Sequence, residues 1–288
     1  MHGLLIVDKP RGVTSHDVVA AVRRAAGTRK VGHAGTLDPL ATGVLVLALG
    51  TATRTLEYLL ADDKWYDAEI TLGQATDTYD AEGQIVHRHA GTLPARDEVE
   101  QALDAFRGPI LQRPPLFSAL KQDGEALYKK ARRGEVVEVA PREVTIHALT
   151  LTDWAPPRLG LRVHCSKGTY IRSLAHELGE RLTVGAHLSG LRRLSSGEFT
   201  LAQAQTLAAI REATRDQLRA WLLPVGTGLS TIPALVVDEA QQQAIRHGQS
   251  LPADDGEGLA RAVDPSGRLI AMMEWRADRG WQPRKVFA

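Results

Sequence analysis

The chain has 288 residues, of which 43% are hydrophobic and 24% charged, and its formal net charge is +1. This length is enough for one large or two ordinary domains with a sizeable core, and the composition is typical of a globular protein. The single cysteine, Cys165, excludes an intrachain disulfide framework and a zinc site of the CxxC type. The near-neutral charge does not by itself require a polyanionic partner.

The N-terminal segment MHGLLIVDKP has a short apolar run that Asp8 interrupts. A signal peptide needs roughly 7–15 apolar residues in its centre, and a membrane span needs about 20. Neither length is reached, and the single cysteine fits a reducing compartment. We therefore expect a cytoplasmic protein.

The N-terminal part of the chain predicts a strand followed by a helix. Residues 3–10 are apolar and end at a proline, which indicates a short buried strand. Residues 14–27 predict a helix, because Thr14 and Asp17 form a capping-box pattern and Gly27 is a typical stop.

The next segments predict two strands and a helix. The apolar run 43–50 is bounded by glycines and indicates a central strand covered on both faces. Residues 66–72 alternate in polarity and predict a half-buried strand with Tyr66 on its apolar side. Residues 95–109 predict an amphipathic helix that a Gly-Pro pair ends.

Further strands are predicted at 143–151 and 159–166, and a further helix at 169–182. The strands and helices alternate without regular βαβ spacing. This order predicts an α+β fold with a mixed or mostly antiparallel sheet flanked by helices.

The stretch 222–235 is rich in Gly, Pro, Ser and Thr and predicts a domain boundary. We therefore predict a large N-terminal domain at 1–229. Residues 230–288 would form a small strand-rich domain, shorter than a typical one.

Asp38 lies in the segment VGHAGTLDPLATG, between glycines and threonines and directly before a proline. The residue before proline is held in extended geometry, and Gly35 and Gly43 allow tight turns on either side. Such a loop would hold a carboxylate rigidly beside a buried strand. An Asp-Pro pair also caps ordinary turns, and from the residues alone the turn is the more economical explanation.

Arg172 and Tyr170 lie at the start of a predicted helix, outside its apolar stripe. Arginine has a planar, permanently charged fork, so Arg172 is a candidate counter-ion for Asp38. A surface arginine is the alternative. Tyr66 is core filler by default, or an aromatic side chain at a cleft that stacks on a ring substrate.

The segment LYKKARRGE (127–135) places four cations within five positions. They are Lys129, Lys130, Arg132 and Arg133. A solvated helix face is the usual explanation, and RNA phosphates are the alternative, because clustered cations gain affinity by releasing counterions. Two prolines and a glycine precede the run and predict an extended arm over 113–135.

One further segment and one histidine lie near these candidates in the sequence. The segment GQATDTYDAEG (73–83) holds three acidic residues, but their spacing does not match a calcium-binding loop, which indicates a structured turn. His33 is the histidine that adjoins the Asp38 loop.

The chain resembles the TruB-type tRNA pseudouridine synthases in five segments between residue 4 and about residue 200. In chain order they are LLIVDKPRGVTSHDVV, KVGHAGTLDPLATGVLVLALGTATR, YDAEITLGQATDTYDAEG, RPPLFSALKQDGEALYKKARRGE and KGTYIRSLAHELGERLTVGAHLSGLRRLSSGEF. The C-terminal segment is similar to a PUA-like RNA-binding domain. The resemblance implies the pseudouridine synthase fold.

The resemblance also implies an activity, the isomerisation of the T-loop uridine at position 55 of tRNA to pseudouridine, without cofactor or metal. Asp38 would be the catalytic nucleophile, paired with Arg172. Tyr66 would stack on the target base and help to remove the proton on C5.

The resemblance implies substrate-binding residues as well. Lys9, Tyr170 and Leu191 would line the pocket, and His33 would lie against the flipped nucleotides. The 113–135 arm, with its basic run, would close over the T-arm of tRNA. We expect a monomer that binds tRNA and no membrane.

The chemistry of a single carboxylate agrees with isomerisation. A stacked base must first be flipped into a pocket, and stacking on an aromatic ring offsets part of that cost. Hydrolysing glycosidases usually need two carboxylates, one of them to activate water, whereas here the leaving uracil is recaptured. Pairing with Arg172 is expected to keep Asp38 ionised. A guide-RNA-dependent homologue and a non-catalytic RNA-binding or RNA-folding protein are the alternatives.

Overall fold

The structure is a computed structural model that describes residues 1–117, 121–122, 125–126, 133, 135 and 139–287, with the backbone alone at 121–122 and 125–126. The helices are α1 (Ser15–Ala26), α2 (Leu56–Leu59), α3 (Arg96–Leu103), α4 (Ile171–Arg181), α5 (Leu207–Glu212), α6 (Arg215–Ala220) and α7 (Glu239–Arg246). Short 3₁₀ segments lie at Gly50–Thr55, Asp104–Phe106 and Leu201–Gln203.

The strands of the first half are β1 (Gly3–Lys9), β2 (Val31–Ala34), β3 (Ala41–Leu49), β4 (Lys64–Leu72), β5 (Gln74–Thr76), β6 (Ile85–Arg88), β7 (Gly108–Gln112), β8 (Lys121–Gln122) and β9 (Glu125–Ala126). Those of the second half are β10 (Arg142–Ala155), β11 (Arg158–Cys165), β12 (Ala186–Ser196), β13 (Phe199–Thr200), β14 (Gln205–Thr206), β15 (Ala234–Val236), β16 (Leu259–Val263), β17 (Leu269–Arg276) and β18 (Gly280–Val286).

Ten strands form one large sheet in the order β14-β1-β3-β12-β4-β11-β10-β7, with β2 beside β3 and β13 beside β12. The β1–β14 and β3–β12 pairs are parallel, and the other neighbours are antiparallel. The predicted α+β fold with a mixed, mostly antiparallel sheet is therefore confirmed.

Local sequence accounts for the elements closest to Asp38. Helix α1 begins with the predicted capping box, in which Thr14 and Asp17 each bond the backbone N–H of the other, and it ends at Gly27 in the left-handed conformation. Strand β3 is buried on both faces, because Leu45 packs into the core beneath the helices and Val46 into the core on the opposite side. Both elements match the sequence prediction.

The predicted helix at 95–109 is too long. Helix α3 ends at Leu103, a 3₁₀ turn follows, and Gly108 and Pro109 begin strand β7 instead of ending the helix. Strand β7 lies at one end of the sheet order, next to β10. An edge strand tolerates proline because one side of its backbone has no ladder bond to make, so the Gly-Pro pair was compatible with a strand.

The C-terminal strands β15–β18 form a separate four-stranded sheet, so this part of the chain is strand-rich as predicted. Leu269 and Met272 from this sheet pack into the same apolar core as Leu4 of β1. Part of the predicted boundary segment is also bound to the large sheet, because Leu223 and Leu4 exchange two backbone hydrogen bonds of 2.8 and 2.9 Å. Within the described ranges, no helix combines the length and the apolar character needed to cross a bilayer.

Gly43 lets β3 lie against β12, where it is the register partner of Arg193. Its φ is +100°, and a Cβ there would overlap the carbonyl oxygen of Arg193. Gly12 has a similar φ of +84° but open space around its missing side chain.

Gly43→Ala is therefore expected to lower the free energy of unfolding by about 1–3 kcal/mol more than Gly12→Ala, because steric overlap adds to a shared backbone cost. Urea unfolding of both variants measures this difference. Equal losses of unfolding free energy would contradict it and would show that β12 moves away from the added Cβ at little cost.

Candidate active site

The loop between β2 and β3 holds Asp38 through several backbone contacts. The hydroxyl of Ser15, at the start of α1, accepts from the N–H of Leu37 at 2.9 Å and donates to its carbonyl at 3.0 Å. The carbonyl of Pro39 accepts from the N–H of Gly12 at 2.8 Å. Both residues that flank Asp38 are thus anchored to other segments, while 38% of the Asp38 side chain is exposed.

Arg172 lies in contact with Asp38 and has a partner at each of its three nitrogens. Its Nε lies 3.0 Å from Oδ2 of Asp38. Its Nη1 donates to the carbonyl of Thr78 at 3.2 Å and lies 3.4 Å from Oδ2 of Asp80. Its Nη2 donates to the carbonyl of Phe117 at 3.0 Å. Only 7% of the Arg172 side chain is exposed, so the surface-arginine alternative is wrong.

Asp80 is a second carboxylate in this site, and sequence reasoning missed it. Residues 73–83 do form a structured turn, as predicted, since the N–H of Asp77 donates to the carbonyl of Gln84. Asp80 is only 4% exposed. Its Oδ1 accepts from the hydroxyl of Thr78 at 2.6 Å and from the N–H of Glu82 at 3.0 Å. The site thus holds two carboxylates on one guanidinium, where the sequence indicated a single acid.

The electrostatics of Asp38 differ from the expectation. Burial raises the pKa of Asp38 above its ordinary value, and the negative charge of Asp80 adds to this rise. Arg172 and Lys9 lower the pKa but do not cancel the effect of burial. The ion pair therefore favours the carboxylate form, as expected, within surroundings that disfavour it overall.

Tyr66 lies on the buried face of β4, beside a buried cation. Burial raises the pKa of Tyr66, and the charge of Arg193 and a hydrogen bond with it act in the opposite direction. Arg193 is 1% exposed. Its guanidinium donates from Nε to the carbonyl of Val44 at 2.6 Å and from Nη2 to the carbonyl of Gly35 at 3.1 Å. The phenol of Tyr66 is therefore held neutral over the ordinary pH range.

Arg193 joins the Asp38 loop to Tyr66, and sequence reasoning did not select it. The available signal was its position in the strand pattern, because it lies two residues beyond Leu191 in β12 and so points to the same side. An arginine on the core side of a strand needs several partners to be stable there.

Comparisons with known proteins identify the family of this chain. Three family models match consecutive parts of the chain: the N-terminal domain of TruB family pseudouridylate synthase at residues 23–171, the tRNA pseudouridylate synthase B C-terminal domain at 172–230, and the C-terminal part of tRNA pseudouridine synthase II at 232–288. The chain belongs to the TruB family of pseudouridylate synthases. It is therefore an enzyme of the isomerase class.

Curated relatives in this family match the TruB-family chain over nearly its whole length. A protein of Syntrophotalea carbinolica named tRNA pseudouridine synthase B is 49% identical, with 100% of this chain and 96% of the relative covered. A protein of the same name from Pseudomonas aeruginosa is 44% identical over 99% of this chain and 95% of its own length.

Solved structures show the same fold. A chain of a Cbf5-Nop10-Gar1 complex has a TM-score of 0.76 and 28% identity, with 99% of this chain and 85% of that chain covered. A chain of an H/ACA RNP bound to a substrate RNA has a TM-score of 0.75 and 26% identity, with the same coverage. The pseudouridine synthase fold predicted for this TruB-family chain is thus confirmed.

Lys9 is the last residue of β1, and its side chain binds the segment that follows this strand. It is fully buried, and its Nζ donates to the carbonyl of Val13 at 2.6 Å and to that of Pro10 at 3.0 Å. Burial lowers the pKa of Lys9 to about 8, while the charge of Asp38 acts to raise it. Lys9 is thus electrostatically coupled to Asp38, with its ammonium group bound to backbone.

His33 lies half-buried on β2, with its ring edge-on to that of His16 at 5.7 Å between centroids. Among the described residues, no group forms a hydrogen bond to its buried Nδ1. Burial and the charges of His16 and Arg193 lower the pKa of His33, so its ring is neutral near pH 7.

The other predicted substrate-binding residues occupy different places in this TruB-family fold. Tyr170 is the N-cap of α4, two residues before Arg172. Leu191 lines a cleft of about 580 Å³ whose wall also contains Leu40, two residues after Asp38, although the Asp38 side chain itself is not part of that wall. In the basic run, Lys129, Lys130 and Arg132 lie outside the described residues. The Nε of Arg133 donates to Glu135 at 2.7 Å.

Proposed function

We propose that this enzyme isomerises the T-loop uridine at position 55 of tRNA to pseudouridine, with Asp38 as the nucleophile. The contact between Asp38 and Arg172, which links a half-exposed carboxylate to a buried cation, carries this proposal. The substrate is supported by relatives at 44–49% identity that are named tRNA pseudouridine synthase B.

The reaction conserves the composition of the uridine, because the proton lost from C5 to solvent is balanced by one that N1 takes up. The N1–C1′ bond breaks, the uracil turns, a C5–C1′ bond forms, and the proton on C5 is lost while N1 gains one. Asp38 would act on C1′ or on C6, or would promote a glycal intermediate. In each case its carboxylate must be ionised and correctly aimed. The Nε contact of Arg172 aims it and favours the ionised form against the effect of burial.

Tyr66 is proposed to stack on the flipped uracil. Extruding the base costs a few kcal/mol, and stacking on an aromatic ring returns about 1–3 kcal/mol per base. Because burial raises its pKa, the phenol of Tyr66 keeps its own proton at neutral pH. This favours the stacking role over the removal of the C5 proton.

The contacts outside the centre also belong to this proposal. Lys9, Tyr170 and Leu191 would line the pocket, with Lys9 acting from a buried position through its charge and its backbone contacts. His33 would lie against the flipped nucleotides, and the 113–135 arm would close over the T-arm. A boundary between a catalytic domain at 1–229 and a small domain at 230–288 is supported by the change of family model between 230 and 232. That the small domain is PUA-like and binds RNA stays a prediction. A monomeric state and a cytoplasmic location stay predictions.

The alternative of a guide-RNA-dependent enzyme has one observation in its favour, the TM-scores of 0.75 and 0.76 to chains from H/ACA complexes. Identity to those chains is 26–28%, whereas identity to the tRNA pseudouridine synthase B relatives is 44–49%. We therefore propose a stand-alone enzyme. A non-catalytic RNA-binding protein would have no need of the Asp38–Arg172 pair.

The purified protein alone is expected to release one equivalent of tritium from an unmodified tRNA transcript that carries 5-tritiated uridine. A transcript with cytidine at position 55 is the matched control and should release none. Release from both RNAs would contradict the position but not the chemistry. Release only after addition of a guide RNA would favour the alternative, and no release under any condition would refute the proposed activity.

A further inference from the structure

The segment 112–117, called the arm root here, is bound to the start of helix α4 through the side chain of Gln112. This residue ends strand β7 and is 1% exposed. Its Oε1 accepts from the N–H of Tyr170 at 2.7 Å, and its Nε2 donates to the carbonyl of Tyr170 at 3.1 Å. If the amide were flipped, its NH2 group would face the N–H of Tyr170 and its oxygen would face the Tyr170 carbonyl. The two contacts therefore determine the orientation of the Gln112 amide.

Two more hydrogen bonds join the arm root to the same turn of α4. The buried hydroxyl of Ser173 donates to the carbonyl of Arg113 at 2.8 Å. The Nη2 of Arg172 donates to the carbonyl of Phe117 at 3.0 Å. The contacts made by residues 170 and 173 therefore lie on either side of Arg172 in the chain. Both hold the arm root, and the arm root carries the Phe117 carbonyl that Arg172 binds.

We propose that Gln112 is a positioning residue for Arg172, acting through the arm root. By binding the root to α4, Gln112 places the Phe117 carbonyl where it fixes the plane of the guanidinium and hence the direction of its Nε toward Asp38. This inference rests on the proposed roles of Asp38 and Arg172.

The physical reason is that a planar group needs more than one fixed contact to define its plane. The nitrogens of Arg172 are held by three separate segments, namely the Asp38 loop at Nε, the 78–80 turn at Nη1 and the arm root at Nη2. Without the arm-root contact at Nη2, the guanidinium plane can rotate about the line that joins the contacts at Nε and Nη1. A misplacement of the order of 1 Å near the reacting atoms can cost about 100-fold in rate.

A change in the Arg172 position would also alter the titration of Asp38. Arg172 and Lys9 favour its carboxylate form, and the neighbouring Asp80 disfavours it. Asp38 in turn affects Tyr66 and Glu82. Loosening Arg172 weakens one of the two favourable charges, so the carboxylate becomes protonated at a higher pH than in the wild type. A loss of protein stability alone would lower the amount of active enzyme without moving that pH.

Gln112→Met tests the proposal, because it keeps the length of the side chain and removes both hydrogen bonds. The measurement is the single-turnover rate of tritium release at saturating enzyme, as a function of pH. We expect a rate about tenfold lower and an acid limb shifted to higher pH. Ser173→Ala, a smaller change that is more certain to fold, is expected to shift both quantities in the same direction by a smaller amount.

Thr55→Val is the matched control. Thr55 is fully buried and its hydroxyl donates to the carbonyl of Ala52 at 2.9 Å, so this variant loses a buried side-chain hydrogen bond away from Arg172. It should keep the wild-type saturated rate and acid limb. The proposal is overturned if Gln112→Met and Ser173→Ala change only the RNA affinity, or if Thr55→Val reproduces their effects. An inactive wild type would instead refute the proposed function, which separates the two failures.

Discussion

Asp38→Asn is expected to lower the single-turnover rate by about 10³-fold or more, because loss of a nucleophile removes the interaction on which the covalent chemistry depends. The amide is nearly isosteric with the carboxylate and can still accept a hydrogen bond from Nε of Arg172. The loop is held by Ser15 and Gly12 rather than by the side chain of Asp38. RNA affinity is therefore expected to stay within about twofold of the wild type.

The measurements are tritium release at saturating enzyme and equilibrium binding to the transcript with cytidine at position 55. Asp216→Asn is the matched control, because the Asp216 side chain is 92% exposed on helix α6. Asp216→Asn should match the wild type in both assays. Near-normal tritium release by Asp38→Asn would remove Asp38 from the chemistry and leave its ion pair with a structural role only.

Arg172→Met is expected to impair both stability and catalysis. The variant leaves the buried Asp80 without its cation, and a broken buried ion pair costs about 3–5 kcal/mol of unfolding free energy. It also leaves Asp38 without the donor that aims it, for which we expect a rate loss of about 10²–10³-fold by analogy with other lost electrostatic contacts. Urea unfolding and single-turnover tritium release measure the two effects separately.

The double variant Arg172→Met/Asp80→Asn separates those two causes. Removing the charge of Asp80 should recover most of the lost stability, while the rate stays low because Asp38 is still unpaired. If the double variant also recovered the rate, the loss in Arg172→Met would be due to the uncompensated charge of Asp80, and Arg172 would have no direct role in orienting Asp38.

The pH dependence of Arg172→Met has a definite sign. The pKa of Asp38 is already raised in the folded wild type by burial, against the lowering effect of Arg172. Without Arg172 the pKa rises further, so the rate should begin to fall at a higher pH during acidification. Because the folded state then binds this proton more readily than the unfolded chain, part of the lost stability should return as pH falls through the raised folded-state pKa toward the unfolded one.

The sequence by itself determined the elements that depend on near neighbours. The capping box of α1, the burial of β3 on both faces and the alternation of β4 follow from residues within each segment, and the structure contains all three. The Asp-Pro turn and its glycines likewise indicated a rigid loop at Asp38. The pairing of Asp38 with Arg172 was only one of two interpretations of the residues, and the family resemblance favoured it.

Only the tertiary structure decided which charged residues are buried and which partners they have. Asp80 lies in a polar turn and has no local signal of burial. The alternation of β12 indicates the side to which Arg193 points but not the partners it binds. Asp80 bonds within its own turn, but its opposite charge comes from Arg172 in a distant helix. The carbonyl groups that bind Arg193 come from distant segments at Gly35 and Val44. The role proposed for Gln112 likewise depends on its hydrogen bond with the backbone of Tyr170 in another element. A buried polar group is favourable only when its partners are in place, and the chain fold alone brings those partners together.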